Sequence, residues 1–217
     1  TAPNIASAIL NANSRHISNF SVMSGHKTMP KAMQSLLDSG EIRLDGFICP
    51  GHVTAITGPE IYQFIADEYK IPCVVAGFEP LDMLEAIFRL IKQIVERRAE
   101  VENQYRRAVK PGGNRKAQRI MAEVFEPCDT IWRGMGNIPR SGLQIRSKYR
   151  QSDADYKFQV KLPPTKSVSG CICGDIMRGV KIPPECRLFR KICTPDNPQG
   201  ACMVSAEGTC ATYFVYG

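Results

Sequence analysis

Apolar residues fall along this chain in short runs alternating with helix-period stretches. Residues 17–23 form a mixed apolar run that predicts a strand, closed by Ser24-Gly25-His26-Lys27, and Pro30 suits the first turn of a helix through Leu37. The pattern then repeats. Phe47-Ile48-Cys49 predicts a strand, Pro50-Gly51 breaks it, and 59–69 reads as an amphipathic helix. A third pass begins with the continuous apolar run 71–76, typical of a strand buried on both faces, and Gly77 and Pro80 punctuate it. Leu81, Leu84, Ile87, Phe88, Ile91, Ile94, Val95 and Val101 recur at helical spacing and predict one long helix over 80–109. Pro111-Gly112-Gly113 stops it, Asn114 can cap a further helix through Val124, and 128–133 with 143–149 offer short strands. Three strand–helix units in series predict an α/β fold with a doubly wound, Rossmann-like parallel sheet.

Pro163-Pro164 marks a boundary between an α/β domain over 1–162 and a small tail module over 163–217, in which turns and cysteines replace periodicity. With 217 residues, 43% of them hydrophobic, the chain can build a real core. Its mean hydropathy is −0.20, and no stretch approaches the roughly 18 apolar residues of a membrane span, so a soluble protein is expected. No secretion leader is visible, and the start at Thr1 rather than Met is expected to be an artificial or processed N-terminus of a longer protein. The formal charge of +7 sits in the middle: net −4 over 1–88, +9 over 89–150 and +2 over 151–217. These basic residues lie among Glu96, Glu100 and Glu102 without interleaved aromatics, so they read as a solvated helix face, and no nucleic-acid partner is expected.

Cysteine usage carries the chemistry. Cys49, Cys73 and Cys128 are spread over the first 170 residues, whereas Cys171, Cys173, Cys186, Cys193, Cys202 and Cys210 crowd into the last 47. The tail gaps of 1, 12, 6, 8 and 7 residues lack the Cys-x2-4-Cys knuckle that structural zinc favours, and six thiols exceed the four that one zinc needs. Four ligands to a [4Fe–4S] cluster plus a redox pair match the count; zinc and disulfides remain the alternatives. In an open parallel sheet, ligands bind beyond the carboxyl ends of the strands. His26 and Lys27, then Cys49 and His52, then Gly77-Phe78-Glu79-Pro80 leave successive predicted strands and are candidates to share one rim, where a thiol and an imidazole can bind metal or form an activated thiolate. Cys73, inside an apolar run, reads as packing. No dinucleotide loop, phosphate loop or hydrolase elbow is present.

Several long motifs carry a family resemblance. Asp45-Gly-Phe-Ile-Cys-Pro-Gly-His-Val53, Val75-Ala-Gly-Phe-Glu-Pro-Leu-Asp82, Val101-Glu-Asn-Gln-Tyr105, Trp132-Arg-Gly134, Pro184-Glu-Cys186, Cys193-Thr-Pro195 and Pro198-Gln-Gly-Ala-Cys202-Met-Val-Ser-Ala-Glu207-Gly-Thr-Cys210 together resemble HypD, the [NiFe]-hydrogenase maturation family, in its C-terminal portion. That family's N-terminal Cys-Gly-Gly-His and Cys-Pro-x-Cys segments, on the iron-binding side of its cleft, have no counterpart here. The resemblance implies a cytoplasmic scaffold that works with HypC-like and HypE-like partners while the Fe(CN)2CO unit is assembled, with iron(II), cyanide and carbon monoxide as transient cargo. It implies a [4Fe–4S] cluster and redox thiols among the six tail cysteines, with Cys171 and Cys173 divided between the two. It also implies Glu207 as a functional acid and His26, Lys27, Cys49 and His52 as cleft residues. Without the N-terminal iron-side motifs this chain alone is not expected to complete the iron unit. The runner-up function is a structural or interaction domain stapled by zinc or disulfides, and a thioredoxin-linked reductase is a third.

Overall fold

A computed structural model describes residues 1–159 and 169–217. The Pro163-Pro164 boundary lies outside the described residues. The chain folds as two compact units, one comprising 1–30, 44–128 and 142–159, the other comprising 31–43, 129–141 and, of the described residues, 169–217.

Helix α1 (Ala2–Ser14) opens the first unit, and α2 (Met29–Leu37) leads out of it. Strand β1 (Phe47–Pro50) runs into α3 (Gly51–Thr57), followed by a 3-10 turn over Pro59–Tyr62 and α4 (Gln63–Tyr69). Strand β2 (Cys73–Ala76), α5 (Pro80–Val95), β3 (Val101–Asn103) and α6 (Arg115–Val124) complete the α/β part. The sheet is parallel with order β1-β2-β3; Phe47 sits opposite Cys73 and Cys73 opposite Val101. All four residues of β2 are buried, as its unbroken apolar run predicts for a central parallel strand.

Two predicted elements are corrected. Residues 17–23 form no sheet strand: Val22 makes a single bridge to Asp153, and the sheet's third strand is 101–103. The helix expected over 80–109 ends at Val95, because Arg97 takes a left-handed backbone (φ 53°) and the chain turns back to the open edge of β2. Buried Gln93 fixes that turn, its side-chain oxygen accepting the Glu100 N–H at 2.8 Å, and Arg98 gathers Glu96, Glu100 and Glu102 on one guanidinium. Asn114 caps α6 as expected, its side chain accepting the Ala117 N–H at 3.0 Å.

Strands β4 (Phe125–Trp132) and β5 (Gly136–Ile145) form a two-stranded ladder, longer than the two short runs predicted at 128–133 and 143–149. Buried Ala6 and Ile9 of α1 pack with Val124, Phe125, Ile145 and Tyr149 in the first unit. A 3-10 segment (Ser147–Ser152) and α7 (Ala154–Phe158) close this unit. The second unit holds α8 (Cys173–Met177), a 3-10 turn (Pro183–Glu185), α9 (Ala201–Val204) and α10 (Thr209–Tyr216). Its core is made largely of sulfur and aromatic groups: Cys173, Cys186, Phe189, Cys193, Cys202, Met203 and Cys210 are all buried together. Arg178 ties 31–43 to this core by donating to the Ser39 and Glu41 carbonyls, and Arg133 does the same for 129–141 through the Pro198 and Gln199 carbonyls. No helix among the described residues is long and apolar enough to cross a membrane.

Candidate sulfur site and sheet rim

The tail's helices are short, and its turns place the thiols. Cys171, Cys173, Cys186, Cys193 and Cys210, with Ile176, Leu188, Phe189 and Met203, line one apolar cavity of about 10 Å³. Cys202 stands apart from that lining and faces Cys173, to which its thiol donates a hydrogen bond while its backbone N–H approaches the same sulfur at 3.5 Å. The Cys171 thiol also donates to Cys173, across 3.3 Å. Gly200 makes this convergence possible: a Cβ there would strike the sulfurs of both Cys171 and Cys173.

Several donors on one sulfur change its acidity. The Cys202 thiol, the Cys202 and Ala201 amides and the Cys171 thiol together hold the Cys173 thiol down at about 5, against the opposing effect of burial. The thiol donors move the other way. Cys202 is pushed far above the ordinary thiol range because its proton is committed to Cys173, burial raises Cys171 to about 12, and burial raises Cys210 to about 11. Cys173 therefore ionises ahead of Cys171, Cys202 and Cys210 and is a thiolate at neutral pH.

The donor set suits a cluster chemically, since every polar ligand atom in the cavity lining is sulfur and the remaining wall is apolar. Among the described residues no three His, Cys, Asp or Glu side chains converge to hold a single ion, as mononuclear zinc would require. A cluster makes a different demand, because its four thiolates bind four separate irons and stand apart around it. The cavity has room for about one water.

The carboxyl end of the parallel sheet forms the second candidate region. The His52 ring packs on Phe78 with centroids 5.1 Å apart. Behind them, Gly51 and Gly77 leave space for the Tyr105 ring that a side chain at either position would invade. Asp82, in the first turn of α5 and 4% exposed, receives both Arg107 terminal nitrogens and the Gln104 amide. That pairing with Arg107 holds the Asp82 carboxyl well below the usual carboxylate range. Asp82, Gln104 and Arg107 carried no assignment in the sequence; the available signal was a carboxylate placed at a helix start inside an apolar motif.

The predicted rim residues do not all meet. Cys49 and His52 belong to the rim segment, whereas His26 packs on Phe125 at 5.3 Å, takes a Ser24 hydroxyl contact at 3.2 Å, and neighbours Lys27, which bridges to Gly142 of β5. Burial lowers the His26 imidazole. Cys49 is 1% exposed, and its hydrogen bond to Cys73, with burial, raises its thiol well above the ordinary value, so it is a protonated core thiol rather than an activated one. Glu207 is exposed in the turn before α10, its N–H donating to the Ser205 hydroxyl.

A mixed α/β chain with six thiols in one compact unit defines a class: an α/β protein carrying a sulfur-rich module. The comparisons specify it. The family model for HypD, described as the hydrogenase formation hypA family, matches residues 1–217. The hydrogenase maturation factor HypD of Rhizobium leguminosarum bv. viciae is 46% identical over 224 residues, covering 100% of this chain and 58% of that protein. Those of Cupriavidus necator and Rhodobacter capsulatus are 44% and 46% identical, each over 100% of this chain and 59% of the relative. This chain belongs to the HypD family. It spans less than three fifths of the length of these relatives.

Proposed function

We propose that this chain is the cluster-bearing, electron-relaying part of a cytoplasmic hydrogenase-maturation scaffold. In this reading Cys171, Cys186, Cys193 and Cys210 hold a [4Fe–4S] cluster, and Cys173 with Cys202 forms the adjacent redox pair. One observation carries the assignment: five sulfurs share the cavity wall, and of these Cys173 is the one whose sulfur both the thiol and the backbone N–H of Cys202 meet, which pairs Cys173 with Cys202 and leaves the other four as ligands. It divides Cys171 from Cys173, as the family resemblance implies. The cluster, when bound, supplies single electrons to neighbouring groups.

The chain's own residues do the rest. Cys173 is ready as a thiolate and Cys202 keeps its proton, so one nucleophilic and one protonated sulfur face each other, as reversible disulfide formation requires: two electrons and the Cys202 proton leave as the S–S bond forms, and return when it breaks. Leu188, Phe189, Ile176 and Met203 keep water from the sulfurs. HypC-like and HypE-like proteins are the proposed partners, and an iron carrying cyanide and carbon monoxide is the proposed cargo of the longer scaffold. Anaerobic isolation followed by iron, acid-labile sulfide and zinc analysis tests the reading. Iron and sulfide in equal amounts support it; zinc, or neither metal with colourless protein, favours the structural domain instead.

A further inference from the structure

The turn over residues 198–202 directs backbone N–H groups at sulfur. The Gln199 N–H donates to the Cys193 sulfur across 3.4 Å, and the Ala201 and Cys202 N–H groups are directed at Cys173. Two carbonyls of the same turn, those of Pro198 and Gln199, accept from one terminal nitrogen of Arg133 at 3.3 and 2.9 Å. The Pro198 carbonyl and the Gln199 N–H belong to one peptide group. A donor on its oxygen and a sulfur at its nitrogen therefore polarise it in the same sense, each strengthening the other.

Arg133 reaches the turn from a fixed base. The Trp132 ring N–H donates to the Ser141 hydroxyl at 2.8 Å, and that hydroxyl donates to the Ile138 carbonyl at 2.8 Å. Next to Arg133, Gly134 lies against the cysteine group: a Cβ on it would stand 3.5 Å from that of Cys173 and 4.0 Å from that of Ala201. All of these residues belong to the second unit.

We propose that Arg133 is a positioning residue for the cluster: by holding the Pro198 and Gln199 carbonyls it keeps the Gln199 N–H on the Cys193 sulfur, and so raises the potential at which the cluster takes up an electron. This rests on the reading of Cys193 as a cluster ligand. A hydrogen bond to a ligand sulfur favours the reduced, more negative state, which is how such donors tune a cluster. Arg133 is exposed, so water and salt screen its bare charge, and its hold on the turn is the larger effect. Lysine keeps the charge but lacks the planar guanidinium and its reach.

A redox titration of the anaerobically prepared chain, with dithionite as the one-electron reductant and electron paramagnetic resonance as the readout, tests this in wild type, Arg133→Ala and Arg133→Lys. The expected result is a midpoint potential that falls in both variants, further in Arg133→Ala. An unchanged or raised potential in both overturns the proposal. So does a fall in Arg133→Ala with Arg133→Lys at the wild-type value, because charge alone would then be responsible. Should Arg133→Ala hold no cluster, the Arg133→Lys potential decides, and loss of the cluster from both variants overturns the proposal by making Arg133 a structural staple. A wild type with no iron–sulfur signal overturns the ligand reading itself and this inference with it, whereas a wild-type signal with unshifted variants overturns this inference alone.

Discussion

The thiol and the backbone N–H of Cys202 both point at the sulfur of Cys173, the amide from 3.5 Å, and with the Cys171 thiol they hold the Cys173 thiol well below the ordinary value. The arrangement separates one reactive sulfur from its neighbours without any basic residue beside it. Hydrogen-bond donors supply the whole effect.

Alkylation should report this directly. In metal-free, reduced protein, iodoacetamide is expected to modify Cys173 at a rate that rises through about pH 5 and then levels off, while Cys171 and Cys210 keep accelerating toward about pH 12 and 11. Peptide mass spectrometry after timed quenching measures the order. Cys202→Ala removes the strongest donor and should shift the Cys173 profile upward; an unchanged profile contradicts the assignment of cause.

Gly200→Ala should disturb the same group by steric means. The added Cβ falls on both the Cys171 and Cys173 sulfurs, and its backbone at φ −102° is one any residue adopts, so crowding alone acts. Forced repacking of this kind costs about 1–3 kcal/mol. Chemical denaturation should show that loss, with a slower Cys173 alkylation. Gly25→Ala, where a Cβ meets nothing within 4 Å and the backbone has no positive φ, is the uncrowded control.

The rim ion pair gives a pH dependence with a definite sign. Asp82 is held well below the ordinary carboxylate range in the folded chain, so its contribution is complete above the unfolded value near about 3.9 and is lost only as pH falls through the depressed folded value. Thermal melting of wild type and Asp82→Asn should therefore differ at pH 7 and converge in strong acid. A difference that is constant down to strong acid would mean that the carboxylate charge is not what stabilises the rim.

Parts of this architecture were legible because local chemistry agreed with tertiary demand. The apolar run ending at Ala76 had to be a buried strand, and Asn114 had to cap the helix through Val124. Helix α1 went unread because its buried face is mostly alanine, Ala6 and Ala12 beside Ile9, which contributes little periodicity. Strand β3 was hidden inside a helical pattern: Val101 keeps the helical spacing, and only the left-handed turn at Arg97 reveals the break. His26 looked like a rim residue because 17–23 looked like a strand; without that strand it rests on Phe125. In the tail, the grouping of six cysteines was visible in their density, but the Cys173–Cys202 contact spans a long sequence separation. It depends on Gly200 admitting the sulfurs, which no spacing rule encodes.

The most direct measurement is the electron paramagnetic resonance spectrum of anaerobically prepared protein after one-electron reduction, recorded for wild type and for Cys186→Ser, Cys193→Ser and Cys202→Ser. A [4Fe–4S] signal is expected in wild type and in Cys202→Ser, with its loss in Cys186→Ser and Cys193→Ser. A wild-type sample with no iron–sulfur signal, or a signal that Cys202→Ser abolishes while Cys186→Ser and Cys193→Ser keep it, would contradict the division of the tail sulfurs into ligands and a redox pair.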